Sequence, residues 1–409
     1  MKQQIILSIL LVLIISSCKK EQTQERINFK SGPWRAELEL QDNKKLPFLF
    51  EVMEDQTLKI FNAEEIIDVE DISIDKDSIR INFPVFEGYV AAKFIDSITI
   101  SGSFIKESLN RIVPFKAAYG VQDRFKVNAK PSYDITGNWE TIFSKDSDED
   151  RYIAKGIFKQ NGNIVTGTFR TTTGDYRYLE GVLNNDILEL SAFDGAHAFL
   201  FTAKVTDSTL NGHFYSGNHW KEPFTSKKNA SYELPSADSL TFLNEGYDSL
   251  AFSFPDVNGN IVSLNDDRFK DKVVIVQVMG TWCPNCMDET KYYVEYYNRN
   301  KDKDVAFIAL AFEYAKTQEK AFTSIKRLQS KLKVEYPVLL AQYGTSDKKK
   351  AQEKLPMLNH VLSYPTSIFI DKKGQVRKIH TGFNGPATGD KYLDFKKEFE
   401  SFIDQLLSE

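Results

Sequence analysis

Val273-Val274-Ile275-Val276-Gln277-Val278-Met279-Gly280-Thr281-Trp282-Cys283-Pro284-Asn285-Cys286 is the stretch on which the reading of this chain turns. An apolar run of this length reads as a strand buried on both faces, and the two cysteines stand where such a strand would hand over to a helix. A pair spaced Cys-x-x-Cys at a strand-to-helix junction is the pattern of a dithiol that opens and closes a disulfide with other molecules. Cys283 falls at the helix N-terminus, where unpaired backbone N–H groups and the helix dipole favour a thiolate, so it is the expected nucleophile. Cys286, one turn on, is placed to attack a mixed disulfide and release the product. Pro284 suits the first helical turn, because its missing N–H would have no acceptor there.

The strand-helix grammar continues outward from this motif. A short hairpin around Asn258-Gly259 precedes it. After it come the strand Val305 to Phe312, a helix from Thr317 to about Lys333, and the strand Val338 to Leu340. A helical segment is expected around Lys348 to Leu362, then a strand pair either side of Lys373-Gly374 and an amphipathic helix from Tyr392 to Leu407. Strands alternating with helices predict an α/β layer structure over residues 251–409.

The N-terminal half reads differently. Residues 28–234 alternate apolar and polar positions between Asn, Asp and Gly turns, which predicts an all-β region. It looks duplicated, since Gly32-Pro33-Trp34 recurs as Gly137-Asn138-Trp139, Phe86-Glu87-Gly88 as Phe193-Asp194-Gly195, and Ser101-Gly102-Ser103-Phe104 as Asn211-Gly212-His213-Phe214. Two small antiparallel barrels or sandwiches are expected, over 28–127 and 128–234, with one fused barrel as the alternative. Residues 235–250 read as a linker. Trp34, Trp139 and Trp220 are expected in the β core.

Among 409 residues there are three cysteines, and the net charge of −5 offers no basic surface for nucleic acid. Partners are therefore sought among proteins and small thiols. Met1 to Gln4 followed by the apolar Ile5 to Ile15 has the form of an export signal too short to span a bilayer. Ile15-Ser16-Ser17-Cys18 resembles a bacterial lipobox. That resemblance implies cleavage after residue 17, a lipid on Cys18 and a polar tether over 18–27; Lys19, where inner-membrane lipoproteins often have Asp, favours the outer membrane facing the periplasm. His213 and His219 lack the partners of a metal site, so no metal is expected and both are read as surface residues. Asp146, Asp148 and Asp150 lack the glycine and glutamate of a calcium loop. Lys348 to Lys350 read as a solvated helix face.

Phe252 to Glu409 resembles the TlpA-like branch of the thioredoxin-fold disulfide reductases. The likeness rests on Asp256-x-x-Gly259 with Val262-Ser263-Leu264, on Val273 to Cys286, on Tyr364-Pro365-Thr366, and on Gly374 and Gly382. It implies a thioredoxin fold and a membrane-anchored thiol-disulfide oxidoreductase that reduces protein disulfides outside the cytoplasm. The Cys283–Cys286 pair would be its only redox centre, with no separate cofactor, and a membrane thiol its electron donor. It implies a cis bond before Pro365, with an ordinary trans proline as the alternative, and substrate binding by Trp282, Tyr364, Pro365 and Thr366. Glu289 would handle protons for the dithiol; otherwise it is a solvated helix acid. Gln277 stands where the family usually has asparagine, and Lys291 where it has a helix-kinking proline. The competing readings are a peroxiredoxin-like thiol peroxidase, against which Gly280 replaces the needed Thr or Ser, and a ligand-binding lipoprotein with an accessory redox domain.

Overall fold

Strict alternation builds the first β region: along Gly32–Glu39 the side chains of Trp34, Ala36 and Leu38 are buried, while Arg35, Glu37 and Glu39 lie between them on the other face. The computed structural model describes residues 29–409, so Cys18, the export signal and the whole tether lie outside the described residues. Nine antiparallel strands run from Gly32–Glu39 to Arg111–Tyr119, and the first pairs with both the second and the last. The strands Glu65–Val69 and Ile72–Asp75, joined only by Glu70-Asp71, do not pair with each other, which leaves a seam. The first region is a barrel left open along one line.

The second region closes. Its sheet also has nine strands, but Gly174–Asp175 is a two-residue appendage, and the remaining strands from Gly137–Phe143 to Trp220–Lys228 form a continuous ring because Tyr152–Asn161 pairs on both sides. The two regions share local devices. Gly32 and Gly137 have φ of 115° and 118°, and the indole N–H groups of Trp34 and Trp139 each donate at 2.8 Å to a carbonyl four residues earlier, on Lys30 and Ile135. They are also joined through the core. Phe193 of the second region stacks on Phe48 of the first at 4.3 Å and lies edge-on to Phe83 and Phe104, while Asn62 exchanges two hydrogen bonds with the Phe193 backbone.

The C-terminal region is a five-stranded sheet in the order Val338–Gln342, Val305–Phe312, Val273–Met279, Thr366–Ile370, Val376–Thr381. The first three strands are parallel and the last two antiparallel. Every residue of Val273–Met279 is buried, as a central strand covered on both faces requires. The helices Pro284–Arg299 and Asp390–Ser408 pack through Tyr292 and Tyr293 against Phe395 and Phe399. This is the α/β domain the motif predicts, beside two β barrels.

Two expectations need correction. The helix read over Lys348 to Leu362 ends at Lys354: Leu355 caps it, and Pro356 lacks the N–H and blocks the geometry that another turn would need. Trp220 is not core. It is 42% exposed, at the rim of a chamber described below.

Residues 235–250 do not hang free. Asn244 N–H donates to the Met357 carbonyl, Val376 N–H to the Asp248 carbonyl, and Leu243 and Ser249 form single bridges to Leu358 and Gln375. The connection is fastened along the C-terminal region.

Candidate active site

The strand Val273–Met279 delivers the chain to Gly280, where the backbone turns under its own tryptophan. A Cβ at Gly280 would lie 2.4 Å from Trp282 Nε1, so a Thr or Ser there would collide with the indole. Trp282 Nε1–H donates to the Phe312 carbonyl at 3.0 Å, and its ring meets Tyr314 and Tyr364 at 5.5 and 5.6 Å. The preceding residue is held as firmly: Thr281 donates both its N–H and its hydroxyl to the carboxylate of Glu313, each at 2.8 Å.

Cys283 caps the helix Pro284–Arg299, and its sulfur accepts the Cys286 N–H at 3.2 Å. Its Sγ also lies 3.4 Å from the Tyr364 carbonyl, toward which a thiol proton can be donated. Cys283 is 7% exposed and Cys286 0%. Only the first sulfur borders open space. Burial, with the neighbouring Cys283 sulfur adding to it, holds the Cys286 thiol well above its ordinary range.

Glu289 lies wholly inside. Its carboxylate accepts from Gln277 Nε2 at 2.8 Å, Ser367 Oγ at 2.9 Å and Tyr293 OH at 3.1 Å. Burial outweighs these three donors and pushes its pKa up to about 7. Gln277 also donates to the Cys286 carbonyl at 3.3 Å, so one amide links the resolving-cysteine backbone to the acid. A group half-ionised near neutrality beside a buried thiol can take up and return a proton. Glu313, just past the end of the neighbouring strand Val305–Phe312, is likewise pushed up to about 7 by burial. Sequence reading missed it, because its partner Thr281 is remote along the chain.

The Tyr364–Pro365 peptide is cis. Tyr364 borders the same open space as Cys283, whereas Pro365 and Thr366 do not; the Thr366 hydroxyl turns back to donate to the Ser363 carbonyl at 2.9 Å. Of the sequence-derived set, Trp282, Cys283 and Tyr364 therefore share one surface. Cys286 and Glu289 stand behind it, and Cys18 lies outside the described residues.

That surface is roofed by the barrels. Residues 172–178 of the second barrel reach across the dithiol: Ser363 Oγ donates to the Thr173 carbonyl at 2.8 Å, Asn285 Nδ2 to the Asp175 carbonyl at 3.2 Å, and Gly385 N–H to the Asp175 carboxylate at 2.6 Å. Gly174 has no room for a side chain, since a Cβ would lie 2.1 Å from Asn285 Nδ2. Arg177 then ties three regions together, pairing with Asp288 on the active-site helix, Glu65 of the first barrel and Asp194 of the second. All four groups are largely out of water, where a guanidinium needs such partners.

Beneath the roof is a chamber of about 680 Å³, lined by both barrels and by Trp282, Cys283 and Tyr364. His219 is exposed, as expected, and stands at its border beside Trp220. Lys348 is exposed on its helix face, as expected, and also borders the chamber.

Known proteins resemble this region. Residues 245–393 match the family model described as Redoxin. The thiol-disulfide oxidoreductase ResA of Bacillus thuringiensis subsp. konkukian is 30% identical over 148 residues, covering 36% of this chain and 76% of that protein. The thioredoxin-like protein YneN of Bacillus subtilis is 29% identical over 152 residues, covering 37% of this chain and 80% of that protein. Among solved structures, the thioredoxin domain of a thiol-disulfide oxidoreductase from Bacteroides vulgatus aligns at 25% identity and a TM-score of 0.28, covering 38% of this chain and 99% of that one. With its buried strand, helix-capping cysteine and five-stranded sheet, this chain belongs to the thioredoxin-fold thiol-disulfide oxidoreductases.

Proposed function

We propose that the chain is a lipid-anchored reductase of disulfides outside the cytoplasm, working through Cys283 and Cys286. The observation that carries this reading is the division between the two sulfurs: Cys283 borders the chamber and accepts an N–H, while Cys286 is sealed behind it beside the Glu289 network. The Cys283 thiolate attacks a substrate disulfide R–S–S–R′, forming Cys283–S–S–R and releasing R′S⁻. Cys286 passes its proton to the Glu289 carboxylate and attacks the Cys283 sulfur, which closes the intramolecular disulfide and releases RS⁻. Two electrons pass from the protein to the substrate, and an external membrane thiol donor restores the dithiol. The expected setting is the cell envelope, held there through Cys18, with exported molecules as substrates. Among the described residues no helix is long and apolar enough to cross a membrane.

The test uses the full-length chain recovered from washed membranes. Cys286→Ser should accumulate a mixed disulfide through Cys283, and Cys283→Ser should neither react nor turn over. Faster alkylation at Cys286 than at Cys283 in the unmutated protein would reverse the roles. The anchor is checked by fractionating the cells: Cys18→Ala belongs in the soluble fraction, and its recovery with washed membranes would refute the lipid attachment.

A further inference from the structure

Which disulfides can reach Cys283 is a question of the chamber, and the answer deepens the reductase reading on which it rests. At about 680 Å³ the chamber is the size of a small-molecule site, typically about 300–1,000 Å³. A folded protein surface meets the fastened segment 172–178 before it meets the sulfur, because Thr173, Gly174 and Asp175 are bonded or packed against Ser363 and Asn285 on either side of Cys283.

The lining is polar in one sense. Arg111, from the first barrel, forms no ion pair among the described residues. Lys106 is buried and gives one N–H to the Ala196 carbonyl at 3.0 Å, again without a carboxylate partner among the described residues. Lys348 borders the same chamber as Cys283. The acids of the chamber are already engaged: Glu222 accepts from Ser144 at 2.7 Å and Tyr152 at 2.8 Å, and Asp175 from the N–H groups of Arg177 and Gly385. Cations without carboxylate partners in a cavity beside a reactive group describe a site suited to an anionic ligand.

We propose that the chamber selects small disulfides that carry carboxylates, with Arg111 as the principal carboxylate contact. The chemistry is the exchange already written, R being the carboxylate-bearing half: its sulfur joins Cys283, the other half leaves as thiolate, and Cys286 releases the first.

The experiment uses the full-length chain in detergent micelles, pre-reduced and freed of reductant. Single-turnover rates are measured with dithiodipropionate, hydroxyethyl disulfide and cystamine, each normalised to its rate with free dithiothreitol, and with insulin as a protein disulfide. The anionic compound should react about tenfold faster than the neutral one, the low end of electrostatic focusing in a charged cleft, and the cationic compound slowest. Added salt should shrink the spread. Arg111→Gln should remove most of the anionic-to-neutral ratio and Arg111→Lys should restore much of it. Equal normalised rates, a preference for cystamine, or faster reduction of insulin than of all three small compounds would overturn the assignment and leave the dithiol reading standing. Failure with all four would overturn both.

Discussion

The redox region and the two barrels divide the labour of this molecule along different principles. In the C-terminal region a few residues at fixed local spacing make the chemistry: a helix-capping sulfur, a second sulfur one turn on, and an acid one turn further. In the barrels no short motif reacts, and what they add is shape and charge around a sulfur that is not theirs. The barrels also differ from each other. The closed second barrel sends residues 172–178 across the dithiol, while the open first barrel supplies Glu65 to the clasp and Arg111 to the chamber. Two bodies on one plan have been given unlike tasks by where each touches the third.

The strongest way to break the comparison is to make the chemistry depend on less than the dithiol. Glu289→Gln should slow turnover about 10- to 100-fold, at the low end of what a positioned acid or base contributes. Glutamine keeps the shape and accepts some of the same hydrogen bonds, so folding should survive. The pH profile carries the diagnosis. With its pKa pushed up to about 7, Glu289 is protonated below that pH and cannot accept the Cys286 proton, so the wild-type rate should fall on the acid side of about 7 and the variant should lack that limb. Glu313 titrates in the same range, so Glu313→Gln is the needed control, and it should keep the limb. Stability should show the opposite pH dependence. Between the ordinary 4.5 and about 7 the folded protein holds a proton that the unfolded chain has released, so Glu289 makes stability fall as pH rises through that window, and Gln should flatten the fall. Identical profiles and rates would return Glu289 to a structural role.

The division between chemistry and access is sharpened at the clasp. Asp288→Asn removes a charge from the Arg177 cluster while leaving Glu65 and Asp194 in place. Loosening the roof by about 1–2 kcal/mol would raise the open population about tenfold. Alkylation of Cys283 by a bulky maleimide should rise by that factor relative to alkylation by iodoacetamide, a ratio that cancels any change in sulfur reactivity. An unchanged ratio would mean that the roof does not limit entry.

The smallest effect tests how alike the barrels are. Trp34→Phe and Trp139→Phe each delete one indole hydrogen bond of the same geometry, and each should cost about 1 kcal/mol. Chemical denaturation of the two variants should give matching losses; a gap of several-fold would show that the shared loop geometry hides different packing.

How much of this could be read in advance follows from distance along the chain. The cysteine pair was legible because its chemistry requires neighbours, and the barrels because alternation and the repeated Gly-x-Trp are local. The end of the helix at Lys354 was legible too, in Pro356, and was overrun. The clasp was not: Asp288 carries no mark that it will meet Arg177, and Glu313 none that it will hold Thr281. Those contacts depend on how three separately folded sheets are laid against one another, and alternation within each is silent on that. Trp220 was misread for the same reason, since a residue at the meeting of three regions can look, in its own segment, like core.

The seam of the first barrel has a consequence for solubility. Glu65–Val69 and Ile72–Asp75 each leave one edge without a strand partner, and an unpaired edge is a template onto which another chain can add. Here the edges and the turn between them carry Glu64, Asp68, Glu70, Asp71 and Asp75, with Lys59 and Lys331 pairing to Asp68 and Glu70. A second copy approaching edge to edge would bring the same acids against these. The line along which the barrel fails to close is also the line along which molecules repel, so an open sheet can persist at high concentration without growing into a larger one.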